Sequence, residues 1–283
     1  MRAAILAALL ILVSATAASA ATPTLGSSPD WRTVDGAVPY RGGYAIPLKA
    51  AKPAWFTDEL AARVHAANGA PVAAPTDAPL PGEIGIRPGS WMIGPAGCTM
   101  NFVFGSPGSY TIGTAGHCGN AGDPVTLITL APGGANPVLV DVGTILTSVN
   151  GGIGNDFALV SIRPELQSWV SPTIAAVAGP CGSYSGAGPE PVFHYGHGLA
   201  VGTGGTPRAG LALTWQASVF GWSGAAAPGD SGSAVRVNTG MQAAGDLTHL
   251  VVDTNFLPSY IAGTRMSRIL QIAGRPLANS PLC

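Results

Sequence analysis

In "PGDSGSAV" (228–235) a serine stands between an aspartate and a glycine, with small residues on both sides. Gly, Asp and Ser are the usual turn formers and the chain holds 40 glycines, so a surface turn is the plain reading. The other reading is chemical. A serine that attacks a carbonyl needs a backbone tight enough to aim N–H groups at the oxyanion, and no bulk that would obstruct the substrate. It also needs a base and an acid. "TIGTAGHC" supplies His117 at the end of a strand-like run, beside Cys118. A general base must sit within about 3 Å of its nucleophile, and a Cys98–Cys118 bridge would close a hairpin and pin the backbone directly after His117. Three acids between His117 and Ser231 have apolar strand neighbours: Asp123, Asp141 and Asp156. Asp156 in "GNDFALVSI" is preferred, because a glycine-rich turn leads into it and an unbroken apolar run follows. A carboxylate buried there without a partner would cost several kcal/mol, so it is expected to be paired. Asp141 in "VLVDVGT" is second choice.

The order histidine, aspartate, serine excludes an α/β-hydrolase, which runs serine, acid, histidine and prefers G-x-S-x-G. That fold also needs alternating helices, and helical periodicity is scarce here. Short runs such as "CTMNFVF", "SYTIGTA", "VTLITL", "VLVDVGTIL", "DFALVSI", "LALTWQASVFGW" and "HLVVDT" recur between glycine and proline punctuation and read as strands. One helix is expected in "PAWFTDELAARVHAANGA", with Thr57 as N-cap, Leu60 and Val64 on one face, and Asn68-Gly69 as the stop. A second is expected in "TRMSRILQIAG", where Met266, Ile269, Leu270 and Ile272 make an apolar face.

The ends of the chain carry their own signals. Residues 1–20 combine Arg2, an apolar run over 3–13 and small residues ending Ala18-Ser19-Ala20, the pattern of a secretory signal peptide. The run falls short of the ~20 apolar residues of a membrane span. "PVAAPTDAPLPGE" reads as an extended linker, so residues 21–82 are expected to be a pro-region and linker, and 83–283 the main domain. The four cysteines Cys98, Cys118, Cys181 and Cys283 form an even set with three possible pairings, suited to an exported protein. A formal net charge of −1, from 13 basic and 14 acidic residues without a basic run, argues against nucleic-acid binding. His194 and His197 in "FHYGHGLAVGTGG" lack a third ligand, so no metal is expected, and no cofactor.

"TAGHC", "NDFALV" and "GDSGSAV", in this order, resemble the three motifs of the chymotrypsin-like serine peptidases, over about residues 97–274. The lysine-poor form with a pro-region is similar to the bacterial streptogrisin and α-lytic branch. The resemblance implies an all-β fold of two packed antiparallel six-stranded β-barrels with a C-terminal helix, and a site in the cleft between barrels. His117 would be the base, Asp156 its orienting acid and Ser231 the nucleophile, with the N–H groups of Gly229 and Ser231 as the oxyanion hole. Ala225 would stand at the base of the specificity pocket, against cleavage after Arg or Lys, and Leu247, Thr248 and His249 would supply its opposite wall, Thr248 donating to Asp156. His194 or Arg208 would neutralise Asp230. With Cys98 bridged to Cys118, a Cys181–Cys283 bond would tie down the tail. Ser233 replaces a second glycine and is tolerated if its φ is negative. The expected activity is that of a secreted, monomeric serine endopeptidase acting on protein or peptide substrates, made as a precursor, without nucleic-acid partner or membrane attachment after signal removal. A catalytically silent homologue acting as a binding module, or an esterase using the same triad, are the alternatives.

Overall fold

Runs rich in Val, Ile, Thr and aromatic residues pair as antiparallel strands in the computed structural model, which describes residues 36–198, 205–255 and 257–283. The expected signal peptide, 1–20, lies outside the described residues. The N-terminal segment forms β1 (Val38–Tyr40), β2 (Gly43–Pro47), helix α1 (Asp58–Ala66) and β3 (Val72–Ala73). Next come β4 (Trp91–Gly94), β5 (Cys98–Thr99), β6 (Val103–Phe104), β7 (Thr111–Thr114), β8 (Pro124–Leu130), β9 (Pro137–Asn150) and β10 (Asp156–Ser161). The remaining strands are β11 (Glu190–Gly196), β12 (Thr206–Trp215), β13 (Val219–Gly224), β14 (Ala234–Val237), β15 (Ala243–Asp246), β16 (His249–Val252) and β17 (Pro258–Thr264). Helix α2 (Met266–Ala273) follows.

Strands β4, β8, β9, β10 and β7 lie side by side in that order. The single stretch 98–104 pairs with β4 through β5 and with β7 through β6, so it joins the two edges and closes a six-stranded barrel. The second sheet closes in the same way. Stretch 243–252 pairs with β14 through β15 and with β17 through β16, completing a ring with β11, β12 and β13. A closed ring leaves no unpaired edge.

Alternation along the strands decides what each face covers. Met92, Leu127 and Val140 point into the first barrel's core, whereas their neighbours Trp91, Ile93, Ile128 and Leu139 point outward and are covered by Phe56, Leu60 and Val64. Helix α1 is thus the lid on an apolar outer face; the Thr57 hydroxyl accepts the Leu60 N–H at 3.2 Å as its cap. Trp222, Phe220 and Val235 fill the second barrel. Between the barrels, Phe102, Phe104 and Phe157 of the first meet Tyr195 and Ala234 of the second and Met266 and Ile269 of α2. This shared core fixes one barrel against the other. Two disulfides, Cys98–Cys118 and Cys181–Cys283, span 20 and 102 residues. By chain entropy, closing such loops stabilises by about 3 and nearly 5 kcal/mol.

Candidate active site

His117 lies just past β7, in one tight turn over 116–118. Gly116 is required there, since a methyl group would collide with the Val149 carbonyl oxygen and crowd Asp156. Cys118 is tied to Cys98, so the backbone is held on both sides of the imidazole. Asp156 opens β10, is wholly buried, and grips His117 twice. Its Oδ1 accepts the His117 backbone N–H at 2.9 Å and its Oδ2 accepts Nδ1–H at 2.6 Å. A carboxylate only accepts, so the proton of neutral His117 is on Nδ1 and Nε2 is left as an acceptor. Burial works to raise the Asp156 pKa, but the attraction of His117, the hydrogen bonds from it and the charge of His249 together hold it below its ordinary value. The neighbouring Asp246 behaves oppositely: burial first, then the charge of Asp156, pushes it well above the ordinary carboxylate range.

Ser231 enters from the second barrel, just before β14. Its Oγ lies 2.7 Å from His117 Nε2 and 3.1 Å from the Thr248 carbonyl oxygen. The turn before it is anchored by Asp230, whose Oδ2 accepts the Ala227 N–H and whose Oδ1 accepts the Gly198 N–H, both at 2.8 Å. Arg208 Nη1 donates to the same carboxylate at 2.6 Å, so Arg208 is the cation that neutralises it, while His194 Nε2 instead sits 3.2 Å from the Ala225 carbonyl oxygen. Gly229 has φ +109°, a backbone few side chains adopt, and a Cβ there would strike the His197 carbonyl. That twist turns its N–H inward. The N–H groups of Gly229 and Ser231 converge on one atom, the carbonyl oxygen of Leu48, at 2.6 and 3.1 Å. Ser233 has no positive φ and its N–H donates to the Asp230 carbonyl at 2.9 Å.

The remaining sequence candidates sort by partner. Asp141 pairs with Arg163 at 2.7 Å and Asp123 accepts the Asn120 N–H at 2.7 Å, so neither faces His117. Thr248 does not donate to Asp156. Its hydroxyl donates to the Ala262 carbonyl at 3.2 Å, because the pairing with β17 points it there. The threonine that serves Asp156 is Thr264, at the end of β17, which accepts the Asp156 N–H at 3.2 Å and donates to its carbonyl at 3.0 Å. His249 stands beside the cluster. Its Nδ1 is 2.9 Å from Thr248 Oγ1 and 3.6 Å from Asp156 Oδ2, and its ring meets that of His117 edge to face at 5.5 Å. Burial, helped by the nearby His117, lowers its pKa from 6.5 to about 4 against the pull of Asp156, so it is neutral at pH 7. Leu247 is buried in one cluster with Leu48 and Ala226, whereas Ala225 is exposed. His194 and His197 turn to different partners: His197 Nε2 lies 3.0 Å from both Glu83 Oε1 and the Gly89 carbonyl oxygen, and its ring stacks on Trp91.

His117, Asp156 and His249 are close enough to share a metal ion, and His117 Nδ1, Asp156 Oδ2 and His249 Nδ1 already have hydrogen-bonding or ionic neighbours. What the arrangement can do without an ion is activate a hydroxyl: an acceptor nitrogen on Ser231, a buried anion behind it, and two N–H donors in front. Thr264 and Arg208 complete it from distant parts of the chain, and the Leu48 carbonyl occupies the pair of N–H donors without being part of it. No protein-family model and no curated protein matches the sequence. Among solved structures the chain is similar to Thermobifida fusca Protease A, at 19% identity and TM-score 0.47 over 70% of this chain and 100% of that one. It is similar to a Nocardiopsis protease at 20% identity and TM-score 0.46, over 69% of this chain and 98% of that one. It also resembles a serine protease described as glutamic acid specific, at 18% identity and TM-score 0.48, over 68% of this chain and 100% of that one.

Proposed function

We propose that the chain is an exported serine endopeptidase, made as a precursor behind a signal peptide over 1–20. The observation that carries this reading is convergence. Ser231 Oγ is hydrogen-bonded to His117 Nε2, and on the same turn the N–H groups of Gly229 and Ser231 converge on one peptide carbonyl oxygen. Ser231 attacks that carbonyl carbon while His117 takes its proton, and the two N–H groups stabilise the oxyanion as it forms. Asp156 holds His117 in the tautomer that leaves Nε2 free to accept, and stabilises the imidazolium. His117 then gives the proton to the leaving amine. The acyl group stays on Ser231 until water, deprotonated by the same imidazole, releases it. Apart from the substrate and the water, every group in these steps is a side chain or N–H of this chain.

Two disulfides fit an oxidising compartment outside the cell, and among the described residues no helix is long and apolar enough to cross a membrane. With a net charge of −1 and no basic run, the substrates are peptides or proteins, not nucleic acid. The test is to offer the purified protein matched peptide anilides and esters, alongside Ser231→Ala. Anilide hydrolysis abolished in the variant supports the peptidase. Ester hydrolysis alone makes it an esterase, and a folded protein inert toward both is a binding module.

A further inference from the structure

The carbonyl held between Gly229 and Ser231 belongs to the chain's own N-terminal segment, and that segment is gripped on both sides of the bond. Before it, β2 lies antiparallel to β16, with Ile46 opposite Leu250 and Pro47 opposite His249. The Leu48 N–H donates to the Thr248 carbonyl at 3.1 Å. After it, Ala50 and Gly97 exchange both backbone hydrogen bonds, at 2.8 and 3.0 Å. The Leu48 side chain is 3% exposed, in a cluster with Leu247, Val192, Tyr184 and Ala226 that carries no charge. An added strand binds extended peptides through its backbone and reads alternate side chains in pockets. A segment that merely covered the cleft would have no reason to aim one carbonyl at the two N–H donors of the turn that carries Ser231.

Building on the peptidase reading, we infer that Leu48–Lys49 is a substrate bond of this site, that the chain cuts it in its own cleft, and that the preferred substrates are peptides with leucine, preceded by proline, on the acyl side. The step balances as ordinary hydrolysis. Ser231 Oγ bonds to the Leu48 carbonyl carbon, the C–N bond to Lys49 breaks, and the proton passes through His117 to the Lys49 amine. One water then yields the Leu48 carboxylate and restores Ser231. The cut falls well before the proline-rich linker. Residues 49–82 stay with the body, because Ala50 remains paired to Gly97 and Phe56, Leu60 and Val64 remain packed over the first barrel.

The experiment expresses the full chain, Ser231→Ala and Leu48→Asp, and determines the N-terminus of each by mass spectrometry, with a fluorophosphonate label as an independent report on Ser231. Leu48→Asp would bury a carboxylate among apolar groups and slow the cut by about 10²-fold or more. The expected result is a wild-type chain that begins at Lys49, produced at a rate independent of protein concentration. Ser231→Ala stays uncut, and Leu48→Asp stays uncut at this bond while Ser231 still takes the label. The processed protein should cleave an Ala-Ile-Pro-Leu anilide with kcat/KM at least ~10²-fold above its Glu or Arg counterparts. A wild-type chain that labels but is intact at 48–49, or cut elsewhere, overturns the inference and leaves the peptidase reading standing, as does a preference for the Glu or Arg peptide. Folded wild-type and Leu48→Asp chains that neither cut nor label overturn both.

Discussion

The double grip of Asp156 on His117, one bond to the ring and one to the backbone, makes a specific demand on residue type. Asparagine has nearly the same shape but must offer an NH₂ to one of two donors, so the imidazole is driven to the wrong tautomer. Asp156→Asn is expected to lower kcat/KM by about 10⁴-fold with little change in melting temperature; a loss under tenfold would mean that His117 does not depend on this acceptor. His249 acts at the same scale through charge. In the folded protein its pKa is lowered from 6.5 to about 4. The unfolded chain therefore binds a proton that the native chain refuses, and the stabilisation present above pH 6.5 is lost as pH falls toward 4. Melting followed from pH 7 to 4.5 should show a shallower fall for His249→Gln than for the wild type; identical slopes would place the acid sensitivity elsewhere. His117, Asp156 and Ser231 were readable because each sits in a short motif of unusual residues. Thr264 and Leu48 were not. Both are ordinary residues in apolar strands, and only long-range strand register brings them to the site. The same cause misdirected Thr248, since which of two strand-end threonines faces Asp156 depends on the pairing of β16 with β17.

At the level of the element, the turn 227–231 holds the Ser231 hydroxyl in place. Asp230 ties its start and Arg208 ties Asp230, while the positive φ of Gly229 aims one N–H into the cleft. Gly229→Ala cannot hold that conformation without strain and meets the His197 carbonyl, so the turn must shift. Losing one donor of this kind typically costs 10²–10³-fold in kcat. The variant should show that loss with KM nearly unchanged, measured on the peptide anilide; an unchanged kcat would remove Gly229 from the mechanism. Glycine at this place is legible from sequence, as is the aspartate after it. Of the two partners expected for that aspartate, His194 and Arg208, the choice is not, because it depends on which way β11 and β12 turn each side chain; Arg208 reaches it from β12.

For the whole molecule, short strand-like runs and a shortage of helix fix the class, all-β, whereas the two six-stranded rings were expected only through the family resemblance. The strands that the N-terminal segment adds to those sheets carried no such signal, since "VPYRGGYAIP" is short, proline-bounded and reads as an extension. Strand β2 is placed by its pairing with β16, and the part of the segment after it by what it covers: without Phe56, Leu60 and Val64 the outer face of β4, β8 and β9 would expose Trp91, Ile93, Ile128 and Leu139. Leucine-sized contacts in such a layer are each worth about 2–5 kcal/mol on truncation to alanine. The linker over 74–80 is by contrast largely open, with Leu80 69% exposed. Brief proteolysis should therefore nick it while the two pieces still elute together from a sizing column; separation without denaturant would show that the segment over 49–73 is not part of the body.

All of these effects presuppose that Ser231 is a nucleophile made so by His117. Mapping the fluorophosphonate adduct on the wild-type chain and on His117→Ala asks this most directly. A single adduct at Ser231, formed by the wild type and missing from a His117→Ala protein with both disulfides and an unchanged fold, is the result predicted. Equal labelling in the two proteins, or an adduct on any other residue, would contradict it.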